Sequence, residues 1–150
     1  MRTAVCTGSF DPPTLGHMAY VAVLTSPNKE PVVTDDERCG LLMGGARAEG
    51  LNNVCAEAYS GLAVDFARQK GAAAIIRGIR NGSDLEYERS MEGANKFLRP
   101  DIETVYLLAR PELEFISSSV VKEMASYGKD IDGLVPDAIK NKIAERLIKR

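Results

Sequence analysis

The feature that most constrains this chain is an alternation. Short apolar runs recur between longer stretches of mixed polar and apolar character. That rhythm belongs to α/β proteins with parallel strands, because joining two parallel neighbours takes about a dozen residues or more, usually a helix. Thr3–Cys6, Ala73–Ile76 and Thr104–Leu108 are predicted as strands, and Val21–Leu24 and Val54–Ala56 are candidates for two more. Helix signals fall between them. Thr34–Glu37 has capping-box spacing, and Ser83–Glu86 repeats it. Tyr87, Met91, Ala94 and Leu98 mark one face of a helix, and Ile139, Ile143 and Leu147 mark another after Pro136. Two places resist the pattern. The helix opened by Thr34 carries Gly40, Gly44 and Gly45, each costing about 1 kcal/mol relative to Ala, so it is expected to be the least stable helix. The crossover near 18–24 is shortened, because only a few residues separate the first loop from the next strand.

No linker, repeat or low-complexity tract divides residues 1–150, so a single domain is expected. At 45% apolar the chain can bury about 70% of its unfolded surface without disulfide staples. Nineteen basic against twenty-one acidic residues leave a net charge of −2, which excludes a nucleic-acid or membrane partner held by a global field. One histidine, His17, excludes zinc sites built on histidine pairs. Three cysteines without C-x-x-C spacing fit a reducing cytoplasm, and no dedicated metal-ligand set is predicted. The sequence shows no leader-like start and no apolar run near eighteen residues, so neither export nor membrane insertion is expected.

Four segments carry polar or glycine signals after apolar strands: Gly8–His17, Ser26–Lys29, Arg77–Arg80 and Ala109–Ser119. In open parallel sheets such segments meet at the carboxyl rim, where ligands bind. Gly8 permits close backbone approach, and Gly16 and His17 fall where a helix would begin, so His17 and nearby N–H groups would face an anion. A proline-rich turn with a solvated histidine fits the same residues. Lys29 reads as a turn lysine or an anion donor. Arg77 and Arg80 flank Gly78 and form either a phosphate fork or two surface arginines. Of Ser117, Ser118 and Ser119, one suffices as a helix cap, leaving hydroxyls beside free N–H donors.

These residues together resemble the bacterial phosphopantetheine adenylyltransferases, in the nucleotidyltransferase superfamily marked by [HT]-x-G-H, here Thr14–His17. The resemblance runs in order through GSFDPPTLGH, SPNK, TDDER, SGLAVDFA, IIRGIRNGSDLEYE and FISSSVVKE. It implies a Rossmann-like fold, a central parallel sheet with helices on both faces. It also implies Mg²⁺-assisted transfer of AMP from ATP to 4′-phosphopantetheine, giving dephospho-coenzyme A and pyrophosphate in coenzyme A biosynthesis. Cytoplasmic hexamers, and coenzyme A as a feedback ligand of some members, are implied as well. Residue by residue, Ser9 matches a contact to both substrates, Phe10 an ATP contact and His17 the transition-state stabiliser. Lys29 matches the lysine bridging acceptor phosphate and reacting phosphoryl group. Arg77 and Ala63 match acceptor contacts. Gly78, Ile79, Arg80 and Glu88 match ATP contacts, as does the run Leu113, Glu114, Phe115, Ile116, Ser117, Ser118 and Ser119. Ser9, His17, Lys29 and Arg80 would carry the catalysis, with Mg²⁺ held mainly by ATP phosphates.

The chain departs from its relatives in four places. Ala63 and Leu113 stand where bulkier or aromatic residues are common, the three helix glycines are unusual, and relatives carry about twelve more residues after Val21, a helix of ~18 Å. Two other readings share the motifs: a superfamily nucleotidyltransferase with another acceptor, and a non-catalytic nucleotide- or coenzyme-A-binding relative.

Overall fold

The computed structural model describes residues 3–11, 13–14 and 33–147, together with the backbone of 22–25 and 148. Among these residues one sheet forms from β1 (Thr3–Gly8), β2 (Ala22–Thr25), β3 (Ala58–Ser60), β4 (Ala72–Ile79) and β5 (Glu103–Leu108). The spatial order is β3-β2-β1-β4-β5, and every pairing is parallel. The chain winds outward from β1 to β3, then crosses back to β4 beside β1. Strand order therefore reverses between β1 and β4, the kind of switch point beside whose carboxyl strand ends open parallel sheets bind ligands.

Among the described residues, five α-helices accompany the sheet: α1 (Asp35–Ala48), α2 (Ala63–Gln69), α3 (Gly82–Leu98), α4 (Ser118–Ser126) and α5 (Asp137–Ile148). Side chains alternate along β1, so its two faces meet different helices. Val5 packs with Val64, Phe66 and Ile75 on the α2 side, whereas Cys6 packs with Leu42 and Cys39 of α1 on the other. A third cluster unites α1, α4 and α5 around Leu41, Val121, Ile139 and Ile143.

Several predicted elements are found where the sequence put them. Thr34 caps α1 in a reciprocal box with Glu37, whose carboxylate also pairs with Arg146 of α5. Ile139, Ile143 and Leu147 are buried, as their spacing requires. Other expectations need correction. The third strand is Ala58–Ser60 rather than Val54–Ala56, because the residues that pair with Val23–Thr25 of β2 are Ala58, Tyr59 and Ser60. Strand β4 runs to Ile79, three residues past the predicted end, since Arg77, Gly78 and Ile79 stay in register with Tyr106, Leu107 and Leu108. Helix α3 is capped by Asn81, whose side chain accepts from Asp84 N–H at 2.9 Å, so Ser83 lies inside the first turn. The face with Tyr87, Met91 and Leu98 is helical as predicted, but it is exposed rather than packed on the sheet. The first crossover spans 9–21 between parallel neighbours, and most of it lies outside the described residues.

Candidate active site

The loop after β1 is built on a close approach. A Cβ on Gly8 would sit 3.1 to 3.4 Å from three ring atoms of Phe10, so glycine is what allows that ring to fold back over the strand end. Phe10 holds a φ of +46°, a left-handed conformation that bulky residues avoid. Its ring is 3% exposed and packs beside Leu42, leaving the backbone as what Phe10 can offer a ligand. The Ser9 carbonyl accepts from Arg38 Nη1 at 2.6 Å. Asp11, also buried, accepts from Val33 N–H at 3.1 Å and from Lys122 Nζ at 3.0 Å. His17 and Lys29 lie outside the described residues.

The adjacent strand end contributes two arginines, each already gripped by a carboxylate. Arg77 donates from Nε to Glu88 Oε2 at 2.7 Å and from Nη2 to Oε1, while Nη1 donates to the Thr7 carbonyl and, at 2.7 Å, to Thr7 Oγ1. Most of its donor capacity is thus used within the protein. Burial pulls the guanidinium pKa down, but the Glu88 hydrogen bond and charge outweigh it, and the net shift is upward. Arg80, at the strand end, forms a two-point pair with Asp84 at 2.8 and 3.1 Å, and this holds the Asp84 carboxyl below its ordinary pKa. A Cβ at Gly78 would meet nothing within 4 Å, so the space above that strand residue is open. Ile79 is buried, and its carbonyl accepts from Ala109 N–H at 2.8 Å.

Beyond β5, a 3₁₀ turn at Pro111–Leu113 leads to α4. Leu113 packs against the α1–α4–α5 cluster, Ile116 is buried, and Glu114 and Phe115 are exposed. Ser117 is the cap, accepting from Val120 N–H at 3.2 Å, with Ser118 and Ser119 in the first turn. Ala63 opens α2 just past β3 and packs beside the Val64–Phe66 cluster.

The described candidates therefore gather at one rim of the sheet: Ser9 after β1, Arg77 to Arg80 at the end of β4, Ala63 after β3 and Ser117 to Ser119 after β5. Glu88 joins them through Arg77. Sequence reasoning missed Arg38, Asp11 and Lys122. Arg38 was visible in principle: it stands one turn before Leu41 and Leu42 on the buried stripe of α1, where a cation needs a reason. Asp11 and Lys122 are 111 residues apart and leave no local pattern. Cys6 is unsuited to nucleophilic work, since burial pushes its thiol pKa up to about 11. Among the described residues no group of three or more His, Cys, Asp or Glu could hold a metal ion, and no helix is long and apolar enough to cross a membrane.

No protein-family model matches the chain. Curated relatives do. It is 42% identical to the phosphopantetheine adenylyltransferase of Heliobacterium modesticaldum, over 97% of this chain and 93% of that one. It is also 42% identical to that of Symbiobacterium thermophilum, over 99% and 98%, and 40% identical to that of Frankia casuarinae, over 98% and 99%. The Heliobacterium alignment spans 158 positions, although 97% of 150 residues is about 146, so about a dozen of its positions face no residue here. Among solved structures, a Vibrio parahaemolyticus protein described as a putative nicotinate-nucleotide adenylyltransferase shares the fold, with a TM-score of 0.66 at 16% identity over 97% of this chain and 96% of that one. Identity at this level over nearly the whole length, on this sheet order, settles the family: the chain belongs to the bacterial phosphopantetheine adenylyltransferases.

Proposed function

We propose that the protein transfers AMP from ATP to 4′-phosphopantetheine, releasing pyrophosphate and forming dephospho-coenzyme A. The near-full-length identity to enzymes of that name carries the proposal. The gathering of Ser9, Arg77, Arg80 and the α4 start at one rim supports it. The nucleophile is a phosphate monoester with a second pKa near ~6, largely dianionic at neutral pH, so no general base is needed. What the chain must supply is alignment of two anions and stabilisation of charge at the α-phosphoryl group. His17, Lys29 and Arg80 are the assigned cationic donors, with Ser9 as a neutral one. The ATP site takes the Phe10 backbone, Gly78, Ile79, Glu88 and 113–119, and Arg77 and Ala63 serve the acceptor. Mg²⁺ held mainly by the ATP phosphates would supply charge neutralisation, and no carboxylate set of the chain is assigned to it.

A cytoplasmic homohexamer belongs to the same reading. Tyr87, Met91 and Leu98 of α3 and Val105 and Leu107 of β5 are exposed apolar side chains suited to a second copy of the chain. Coenzyme A, which shares the pantetheine arm, is the proposed feedback ligand.

The deciding experiment offers ATP and Mg²⁺ with a panel of acceptors: 4′-phosphopantetheine, nicotinate mononucleotide and small phospho-alcohols. Release of pyrophosphate with 4′-phosphopantetheine alone supports the proposal; preference for another acceptor overturns it. One observation favours a second reading. Relatives carry about a dozen positions absent here, which we place after Val21, and a misplaced His17 would leave a nucleotide binder with little turnover. Calorimetric ATP or coenzyme A binding without pyrophosphate release would select that reading.

A further inference from the structure

The loop after β1 is held in a conformation that its own residues do not favour, and the group holding it comes from α1. Phe10 has a φ of +46°, and non-glycine residues in that region persist only where surrounding structure over-determines them. The Ser9 carbonyl, one peptide earlier, is the acceptor for Arg38 Nη1 at 2.6 Å. The Arg38 side chain is 2% exposed, and its Nη2 pairs with Asp35, so the guanidinium is itself fixed before it reaches the loop. A second contact ties the same loop to the same helix, since Asp11 accepts from Val33 N–H just ahead of α1. The start of α1 is braced in turn by the Thr34–Glu37 capping box and by Arg146. That bracing sits in a helix whose body carries Gly40, Gly44 and Gly45.

A planar trans peptide makes one direction dictate another. With the Ser9 carbonyl fixed toward Arg38, the Phe10 N–H of the same unit is aimed the opposite way. We propose that Arg38 is a positioning residue: through the Ser9 carbonyl it sets the Ser9–Phe10 peptide, and thereby the placement of the Ser9 hydroxyl and the Phe10 backbone toward a bound nucleotide phosphate. The bond is charge-assisted and its donor side chain is buried, so it is strong enough to offset an unfavourable backbone conformation. Arg38 itself, buried beneath the loop, touches no substrate. The inference rests on the nucleotide-transfer reading and adds to it a residue outside the predicted site.

The test measures ATP binding by calorimetry for the wild type, Arg38→Lys and Arg38→Met, with folding checked by circular dichroism. Wild-type ATP binding establishes the nucleotide site on which the inference depends, pyrophosphate release with 4′-phosphopantetheine tests the transfer reading separately, and absence of ATP binding would overturn both. Given wild-type binding, Arg38→Met should weaken ATP about 10- to 100-fold at unchanged stoichiometry per folded chain, the range expected when a charged hydrogen bond that orders a site is lost. Arg38→Lys can still donate to the Ser9 carbonyl but cannot fork to Asp35, and should recover part of the loss. A residue that only stabilised the fold would lower the melting temperature and the binding-competent fraction while leaving Kd unchanged, and that result overturns the proposal. Should Arg38→Met fail to fold, Arg38→Lys and Asp35→Asn carry the test: each should weaken ATP by several-fold, and wild-type Kd in both refutes it.

Discussion

Arg77 and Glu88 give the sharpest quantitative prediction. Their two-point contact has its Nε bond at 2.7 Å, and the side chains are 25% and 11% exposed. Removing one partner of a fully buried pair costs about 3–5 kcal/mol, whereas exposed pairs contribute at most about 1 kcal/mol. With Glu88 mostly buried and Arg77 a quarter exposed, the coupling between them should be about 2 kcal/mol. The perturbation is a double-mutant cycle of Arg77→Met, Glu88→Met and the combined variant, read by urea denaturation. Each single variant should lose more stability than the simple removal of its own contacts, because the other charge is left without its partner. The double variant should recover much of that loss. For a chain of this size, about 2 kcal/mol corresponds to a melting shift of about 4–8 °C. A coupling below about 0.5 kcal/mol would place the pair among ordinary surface bridges and refute the argument that the strand end is locked by it.

Three further outcomes follow from other features. Gly40 lies in α1, and a Cβ added there would meet nothing within 4 Å, so Gly40→Ala should stabilise the protein by about 1 kcal/mol in urea; a loss would contradict the helix assignment there. The Asp84 carboxyl is held below its usual value of about 3.9 by Arg80, so the pair's contribution is complete above that pH and lost as pH falls through the lowered pKa. Arg80→Gln should return the Asp84 titration, followed by NMR, to the ordinary range, and an unmoved titration would refute the pairing. Cys6, with its thiol near a pKa of about 11, should resist iodoacetamide at about pH 8 while exposed Cys55 reacts, and comparable labelling of both would show that the strand is not packed in this way.

Much of the fold was legible because its signals are local. A capping box at Thr34–Glu37 and a period of four in Ile139, Ile143 and Leu147 need no distant partner to be read. What escaped the sequence depends on pairing. Val54–Ala56 has the apolar character of a strand, but the ladder to β2 is made by Ala58–Ser60, a choice that only the neighbour's register decides. Helix α2 went unread, being seven residues long with no side-chain cap at Leu62. The site divides the same way. Motifs marked Ser9, Arg77, Glu88, Arg80 and the serines, whereas the contacts that hold the loop after β1, from Arg38 to the Ser9 carbonyl and from Lys122 to Asp11, arise across 29 and 111 residues of chain.

The proposed function has this rim perform adenylyl transfer with one imidazole and without a general base. Steady-state pyrophosphate release with ATP, Mg²⁺ and 4′-phosphopantetheine decides it, comparing the wild type with His17→Ala. Wild-type turnover should yield dephospho-coenzyme A, and kcat should fall by about 10²-fold or more in the variant with a smaller change in KM. Near-normal turnover in His17→Ala, or no turnover in the wild type despite bound ATP, would contradict this mechanism.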